Sequence, residues 1–258
     1  GAGFGRTMTG YRPDPAQLTA YRNLVISDTE VPLAYPALIS TALQRDLTGD
    51  GRFPVRPMGI VHVGSRIGAT GTLAMDRPWQ VSVWLAPTRR RVHNGAEIDL
   101  MATVGDGDAT WWAQTIILSR SRSQSGSEES STPTPPEPTG DWANAERFSL
   151  AEGTGRAYAR LSGDYNPIHL HRFAAKPLGF PRAIAHGWFL TGRVPAALGL
   201  DTIGPGGVEL NLAFRRPVTL PAELLARSQA TGDGATQFVL GTAGDPDRLL
   251  LGGHVTSG

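Results

Sequence analysis

The sequence predicts an α+β fold made of two similar halves, and three observations support this prediction. An apolar, helix-like segment followed by four strand-like segments occurs twice along the chain. The matched segments are offset by roughly 150 residues, drifting down to about 140, as a duplicated unit with small loop deletions would be. A polar stretch at 119–140 separates the two sets.

Each half is predicted to contain one helix with apolar residues around most of its circumference. In the first half this helix begins at Pro36 and ends near Gly49, and in the second it begins at His186 and ends near Gly199. A helix that is apolar on all sides is typical of one enclosed by other structure. We therefore expect both helices to lie inside the fold.

Four strands are predicted to follow each helix. Alternation of apolar and polar residues, which indicates a half-buried strand, is clearest at 80–85 and 209–214. The predicted strands cover 59–67, 79–86, 96–104 and 109–119 in the first half, and 208–218, 222–230, 235–242 and 248–256 in the second.

The segment between the halves reads SRSRSQSGSEESSTPTPPEPTG and has almost no apolar residues. Such a composition cannot offset the entropy of ordering by burial, so a flexible linker is predicted. The chain is accordingly divided into a first half at 1–118, a linker at 119–140 and a second half at 141–258.

Composition excludes several classes of protein. The chain has 258 residues, is 40% hydrophobic and carries a net charge of +1, which suits a packed core and argues against a nucleic-acid binder. Its lack of cysteine excludes disulfides, thiolate nucleophiles and cysteine-bound zinc. No apolar run approaches the ~20 residues of a membrane span, and no secretory leader is visible. We expect a cytoplasmic protein.

The most informative motif is Ser-Gly-Asp-Tyr-Asn-Pro-Ile-His at 162–169. It places the carboxyl of Asp164 and the imidazole of His169 on either side of an Asn166-Pro167 turn, with Gly163 giving the backbone freedom just before the acid. An acid and a base beside one water molecule are what the reversible addition of water to a double bond requires.

This motif, together with Ala-His-Gly-Trp at 185–188, resembles the signature of the MaoC-like dehydratases, also known as hydratase 2 or (R)-specific enoyl-CoA hydratases. The likeness covers roughly residues 145–258, with a fainter version over 8–120. It implies a double hot-dog fold, in which two antiparallel sheets each wrap around a central helix and one chain mimics a dimer of single units.

The resemblance also implies the roles of the site residues. Asp164 and His169 would be the catalytic pair, without a decision on which of them makes which proton transfer. Gly187, at the start of the second helix, would donate its N–H to the thioester oxygen. His186 would cap the helix or brace the loop. Asn166 would either orient the loop or a catalytic side chain, or form an Asx turn without direct chemistry.

No metal and no cofactor are expected. The pair His169 and His171, with Asp164, has the side-chain types of a metal site, but no further ligand is evident nearby and the family needs no metal. The acyl group would be carried on coenzyme A or phosphopantetheine.

The first half lacks the motif, so we expect it to be catalytically silent, to complete the fold and to shape the acyl tunnel. Its histidines, His62 and His93, are interpreted as structural. One active site per chain follows, in a pseudo-dimeric monomer, with a homodimer as the alternative.

Arginine supplies nearly all the positive charge, since Lys176 is the only lysine. Two arginine clusters are candidates to hold the phosphates of the carrier or to meet an acidic acyl-carrier protein, although each also fits a solvated strand end. They are Arg89, Arg90 and Arg91, and Arg215 and Arg216.

The sequence thus predicts a hydro-lyase that dehydrates (3R)-hydroxyacyl thioesters or hydrates trans-2-enoyl thioesters. The alternatives are a hot-dog acyl thioesterase and a non-catalytic subunit that binds acyl thioesters.

Overall fold

The computed structural model describes residues 4–55, 60–121 and 126–258. Its helices are α1 (Pro15–Val25), α2 (Tyr35–Gly49), α3 (Thr154–Ser162), α4 (Arg172–Ala175) and α5 (Gly187–Ala197). Its strands in the first half are β1 (Gly5–Tyr11), β2 (Ile60–Ala69), β3 (Trp79–Val92), β4 (Gly95–Gly105) and β5 (Thr110–Arg120). Those in the second half are β6 (Asn144–Leu150), β7 (Val208–Phe214), β8 (Ala222–Ala230), β9 (Ala235–Thr242) and β10 (Leu251–Ser257).

The described strands form one antiparallel sheet in the order β1-β3-β4-β5-β2-β7-β10-β9-β8-β6. Each half contributes five neighbouring strands. The halves meet where β2 pairs with β7, from Gly64 opposite Ala213 to Ala69 opposite Val208. The two sheets expected from the sequence are therefore joined edge to edge, which leaves neither half with an open central edge.

Both predicted helices pack on the inner side of this sheet, but only α5 is enclosed as expected. Helix α2 is buried from Tyr35 to Ser40 and then exposes one face, which carries Arg45 and Asp46, because its later turns are polar on that side. Helix α2 packs against β1, β3 and β4, and α5 packs against α1, α2 and β2. All residues from Trp188 to Pro195 of α5 are buried. The two helices share one core with the inner face of the sheet, which includes Trp79, Trp111 and Phe238.

Five of the elements named above escaped the sequence prediction, namely β1, α1, β6, α3 and α4. Strand β1 lies at one edge of the sheet and β6 at the other, and neither alternates cleanly between buried and exposed residues. Helix α3 is short, and two of its four buried positions are Gly155 and Ser162, which give little apolar signal. The predicted strand start at Gly59 lies outside the described residues.

Residues 126–140, which we call the strap, follow an extended path along the sheet. Glu97 and Asp99 on β4 are buried, and the strap donates hydrogen bonds to both, while Arg90 on β3 also donates to Asp99. Ser130 Oγ donates to Glu97 at 2.6 Å and the Ser131 amide at 2.8 Å. Composition alone does not reveal these partners. Residues 122–125 of the predicted linker lie outside the described residues, and its flexibility stays a prediction.

Among the described residues, no helix combines the length and the apolar character needed to cross a lipid bilayer.

Replacing Glu97 by Ala tests whether this side chain holds the strap on the sheet. The change removes the acceptor shared by Ser130, Ser131 and Thr132. Unpaired donors should cost about 1–3 kcal/mol in the free energy of unfolding, and amides of 126–134 should exchange faster with deuterium. Glu129→Ala, at an exposed position of the strap, is the control. Exchange in Glu97→Ala as slow as in the control would contradict a role for Glu97.

Candidate active site

A cavity of about 700 Å³ opens between the halves and contains the motif residues. The second half contributes Asp164, His169 and Gly187 to its wall. The first half contributes residues of α2, β2, β4 and β5, which include Thr41, Val61, His62, Leu100 and Ile117. The supposedly silent half therefore forms much of the space in which a substrate would lie.

The loop that carries Asp164 begins with a left-handed turn. Helix α3 ends as Gly163 adopts φ 71°, with its N–H donating to Ala159 O. This conformation suits glycine and turns the chain away from the helix axis. The Asp164 amide then donates to Ser162 Oγ at 3.1 Å, and Asp164 Oδ1 accepts from the Asn166 amide at 3.1 Å. The carboxylate is thereby fixed while remaining partly exposed to the cavity.

The ring of His169 is fixed in one tautomer by its surroundings. His169 ends the short 3₁₀ turn Pro167–His169 and is buried. Its Nδ1 lies 2.8 Å from Ile184 O, and because a carbonyl can only accept, Nδ1 carries the proton. Burial lowers the pKa of His169, against the opposing pull of Asp164. The ring is therefore neutral near pH 7, with an unprotonated Nε2 that can take a proton.

Asp164, His169 and His186 form a compact group. Ligand-type atoms of these three side chains lie within 4.8 Å of one another. A separation of this size allows one water molecule to bridge the carboxylate and the imidazole. The residue types also match those of a metal site, and the expectation that no metal is needed stays a prediction.

His186 links the parts of the site. Its Nε2 donates to the backbone oxygen of Asp164 at 3.0 Å, and its ring stacks on His169 with the centroids 3.7 Å apart. The side chain makes no capping hydrogen bond to α5, so it braces the loop instead of capping the helix. Burial and the neighbouring His169 lower the pKa of His186 to about 2, so this ring stays neutral.

Gly187 is the first residue of α5, whose first backbone bond runs from Leu190 to His186. The N–H of Gly187 thus has no partner inside the helix and lies at its positive end. A side chain at this position would overlap the ring of His62, which comes from strand β2 of the first half. Glycine is therefore required here, and the close neighbour belongs to the other half of the chain.

His62 is a site residue that the sequence interpretation missed. It was assigned a structural role because it stands alone on a strand, yet its ring lies against Gly187 and lines the cavity. Burial lowers the pKa of His62 to about 4. The pairing of the two halves brings it there, and no spacing within the sequence signals that pairing.

The other residues singled out from the sequence, Asn166, His171 and His93, lie in different surroundings. Asn166 Oδ1 accepts from the Ile168 amide at 3.4 Å, so the Asx turn is the alternative for which a contact exists. His171 is exposed, is not among the residues that line the cavity, and accepts at Nδ1 from the Phe173 amide at the start of α4. His93 is exposed on the hairpin between β3 and β4.

Only one of the two arginine clusters lies at the cavity. Arg215 and Arg216 line it, together with Arg45 and Arg120, which the sequence did not single out. Arg89, Arg90 and Arg91 are not among the lining residues. Arg90 instead pairs with Asp99 at 2.8 Å, and the Arg91 amide donates to Glu128 in the strap. Their position gives no support to a role in holding phosphate.

Comparison with known proteins agrees with this geometry. A profile of the MaoC like domain matches residues 136–245. The chain is 31% identical over 230 residues to 3-hydroxyacyl-thioester dehydratase X of Mycobacterium tuberculosis, covering 88% of this chain and 80% of the relative. It is 36% identical over 89 residues to an (R)-specific enoyl-CoA hydratase of Aeromonas caviae, covering 34% of this chain and 65% of that one.

A solved structure extends the likeness over the whole length. The crystal structure of HtdX of Mycobacterium tuberculosis superposes with a TM-score of 0.80 at 28% sequence identity, covering 98% of this chain and 99% of that chain. The double hot-dog architecture expected from the sequence is thus confirmed.

The buried neutral histidines predict how stability depends on pH. Below about pH 6.5 the unfolded chain protonates these histidines, whereas the folded chain, with lowered pKa values, does not. The free energy of unfolding should then fall by about 1.4 kcal/mol per pH unit for each such residue. Urea unfolding between about pH 7 and pH 5 measures this slope. His186→Asn should flatten it, and His171→Asn, at an exposed position, should not. An unchanged slope in His186→Asn would refute the assignment.

Proposed function

The chain belongs to the MaoC-like dehydratase family, and we propose that it interconverts (3R)-hydroxyacyl thioesters and trans-2-enoyl thioesters with Asp164 and His169 as the acid–base pair. One observation carries the assignment of the pair. A carboxylate and a neutral imidazole, both held by backbone contacts, lie within 4.8 Å of each other in a cavity between the halves. The reaction belongs to fatty acid metabolism.

In the hydration direction, a water molecule lies between the two side chains. Because Nδ1 of His169 is engaged with Ile184, Nε2 is the atom that takes a proton from the water as its oxygen attacks C3 of the enoyl thioester. Asp164 accepts a hydrogen bond from the other O–H of the water and thereby orients it. The pair then returns a proton to C2. Dehydration reverses these steps, and positioned acid–base groups of this kind typically contribute ~100- to 10,000-fold each.

The negative charge that develops on the thioester oxygen needs a donor. We assign this role to the N–H of Gly187, supported by the positive end of α5. A single preorganised donor of this type is typically worth about 100- to 1,000-fold in kcat. The absence of a side chain at Gly187 leaves room for the ring of His62 beside that N–H.

The carrier would extend from the cavity past its arginines. Arg215 and Arg216, with Arg45 and Arg120, give the wall a basic character that suits the phosphates of coenzyme A or phosphopantetheine. The proposal requires no cofactor besides this carrier. The first half would be catalytically silent, giving one active site per chain, and a cytoplasmic location remains our expectation.

Steady-state hydration of crotonyl-CoA tests the catalytic pair. Asp164→Asn and His169→Ala should each lower kcat by about 100- to 10,000-fold with little change in KM, because each removes a proton transfer made in the transition state. His171→Gln is the matched control and should keep wild-type rates, since this exposed ring lies outside the cavity.

The same assay separates the alternatives. Wild-type rates in both variants would reject the assigned pair. Release of free thiol without hydration would indicate a thioesterase, and tight binding of crotonyl-CoA without turnover would indicate a binding subunit.

A further inference from the structure

The ring of His62 is held rigidly at the junction of the two halves. It lies on β2 at the point where pairing with β5 shifts register, between His62 and Gly64. Its ring contacts that of Trp188, at a centroid distance of 5.4 Å, and that of Phe214, at 4.9 Å. Both aromatic neighbours belong to the second half, so the ring cannot swing without disturbing the wall of the cavity.

The hydrogen bonds of His62 decide which of its ring nitrogens is left to accept a hydrogen bond. Its Nε2 lies 3.0 Å from Gly64 O and 2.8 Å from Ser65 Oγ. Since Gly64 O can only accept, Nε2 carries the proton of the neutral ring and Nδ1 holds a lone pair. No described residue makes a hydrogen bond to Nδ1, which is the ring atom that a Cβ on Gly187 would meet first. The site therefore presents an unused acceptor beside its proposed oxyanion donor.

The chemistry of a thioester limits what this acceptor can meet. The carbonyl oxygen at Gly187 is itself an acceptor and would be repelled by a lone pair. The 3-hydroxyl is required between Asp164 and His169, and the compact group that those residues form with His186 does not include His62. The next donor along the substrate is the amide N–H of the carrier, separated from the carbonyl carbon by the sulfur and two methylenes.

We propose that His62 is a positioning residue for the carrier, accepting at Nδ1 a hydrogen bond from the amide N–H of the cysteamine arm. The contact would hold the thioester with its oxygen on Gly187 and its β-carbon at the catalytic pair. This inference rests on the proposed function, and it gives the silent half a direct contact with the substrate. It applies equally to coenzyme A and to phosphopantetheine, because both carry this amide.

A pair of small substrates isolates the amide. The crotonyl thioester of N-acetylcysteamine contains the N–H, and the crotonyl thioester of 2-acetoxyethanethiol has an ester oxygen in its place. The wild type should prefer the amide substrate by roughly tenfold in kcat/KM, as expected for one hydrogen bond to an acceptor that is otherwise unpaired. Most of the effect should appear in KM, because the contact is present before and during the reaction.

Two variants of His62 then test whether this residue causes the preference. In His62→Leu the acceptor is lost, and the ratio between the two substrates should fall to about one. In His62→Asn a side-chain oxygen can take the place of Nδ1, and most of the preference should remain. The pH dependence of kcat should stay that of the wild type in both, because His169 is untouched.

Equal rates of the wild type with the two substrates would overturn the proposal without any variant. So would a wild-type preference that persists in His62→Leu. If His62→Leu does not fold, His62→Phe takes its place, since it keeps a ring between Trp188 and Phe214 but offers no acceptor. A preference that persists in His62→Phe would equally overturn the proposal. Failure of the wild type to hydrate crotonyl-CoA at all would instead reject the proposed function, so the two failures are distinct.

Discussion

The site depends on one buried imidazole. His186 donates to the backbone of Asp164, stacks on His169 and immediately precedes Gly187, so a single ring fixes the proposed acid, base and oxyanion donor relative to one another. Its burial keeps it uncharged, which prevents a second positive charge from forming beside His169.

The site also depends on the junction between the two halves of the chain. Pairing of β2 with β7 joins the strands of the two halves into one sheet, and the ring of His62 lies against Gly187. Helix α2 of the first half also reaches the motif, since Arg45 donates to the oxygen of Gly163, one residue before Asp164. The first half lacks the catalytic motif, yet it supports the turn that carries the acid and supplies a wall of the cavity. A half without the motif is therefore still a part of the candidate active site.

Much of the fold and of the candidate site could be predicted from the sequence. The apolar helices and the strands at 222–230 and 235–242 are local patterns, and Asp164 and His169 belong to a contiguous motif, so both could be found by inspection. Edge strands β1 and β6 could not, because their alternation is weak. His62, Arg45 and the partners of Glu97 depend on long-range pairing, which leaves no spacing signal in the chain. The arginines at 89–91 show the converse, since a dense local cluster lies outside the cavity wall.

The central claim is that Asp164 and His169 act on one water molecule at the β-carbon of a bound thioester. A crystal structure of the Asp164→Asn variant with a trans-2-enoyl-CoA tests it directly. We predict C3 of the acyl chain next to a water molecule within roughly 3–3.5 Å of His169 Nε2, with the thioester oxygen on the Gly187 N–H. An acyl chain whose C3 lies away from His169, or a thioester oxygen turned away from α5, would contradict the account.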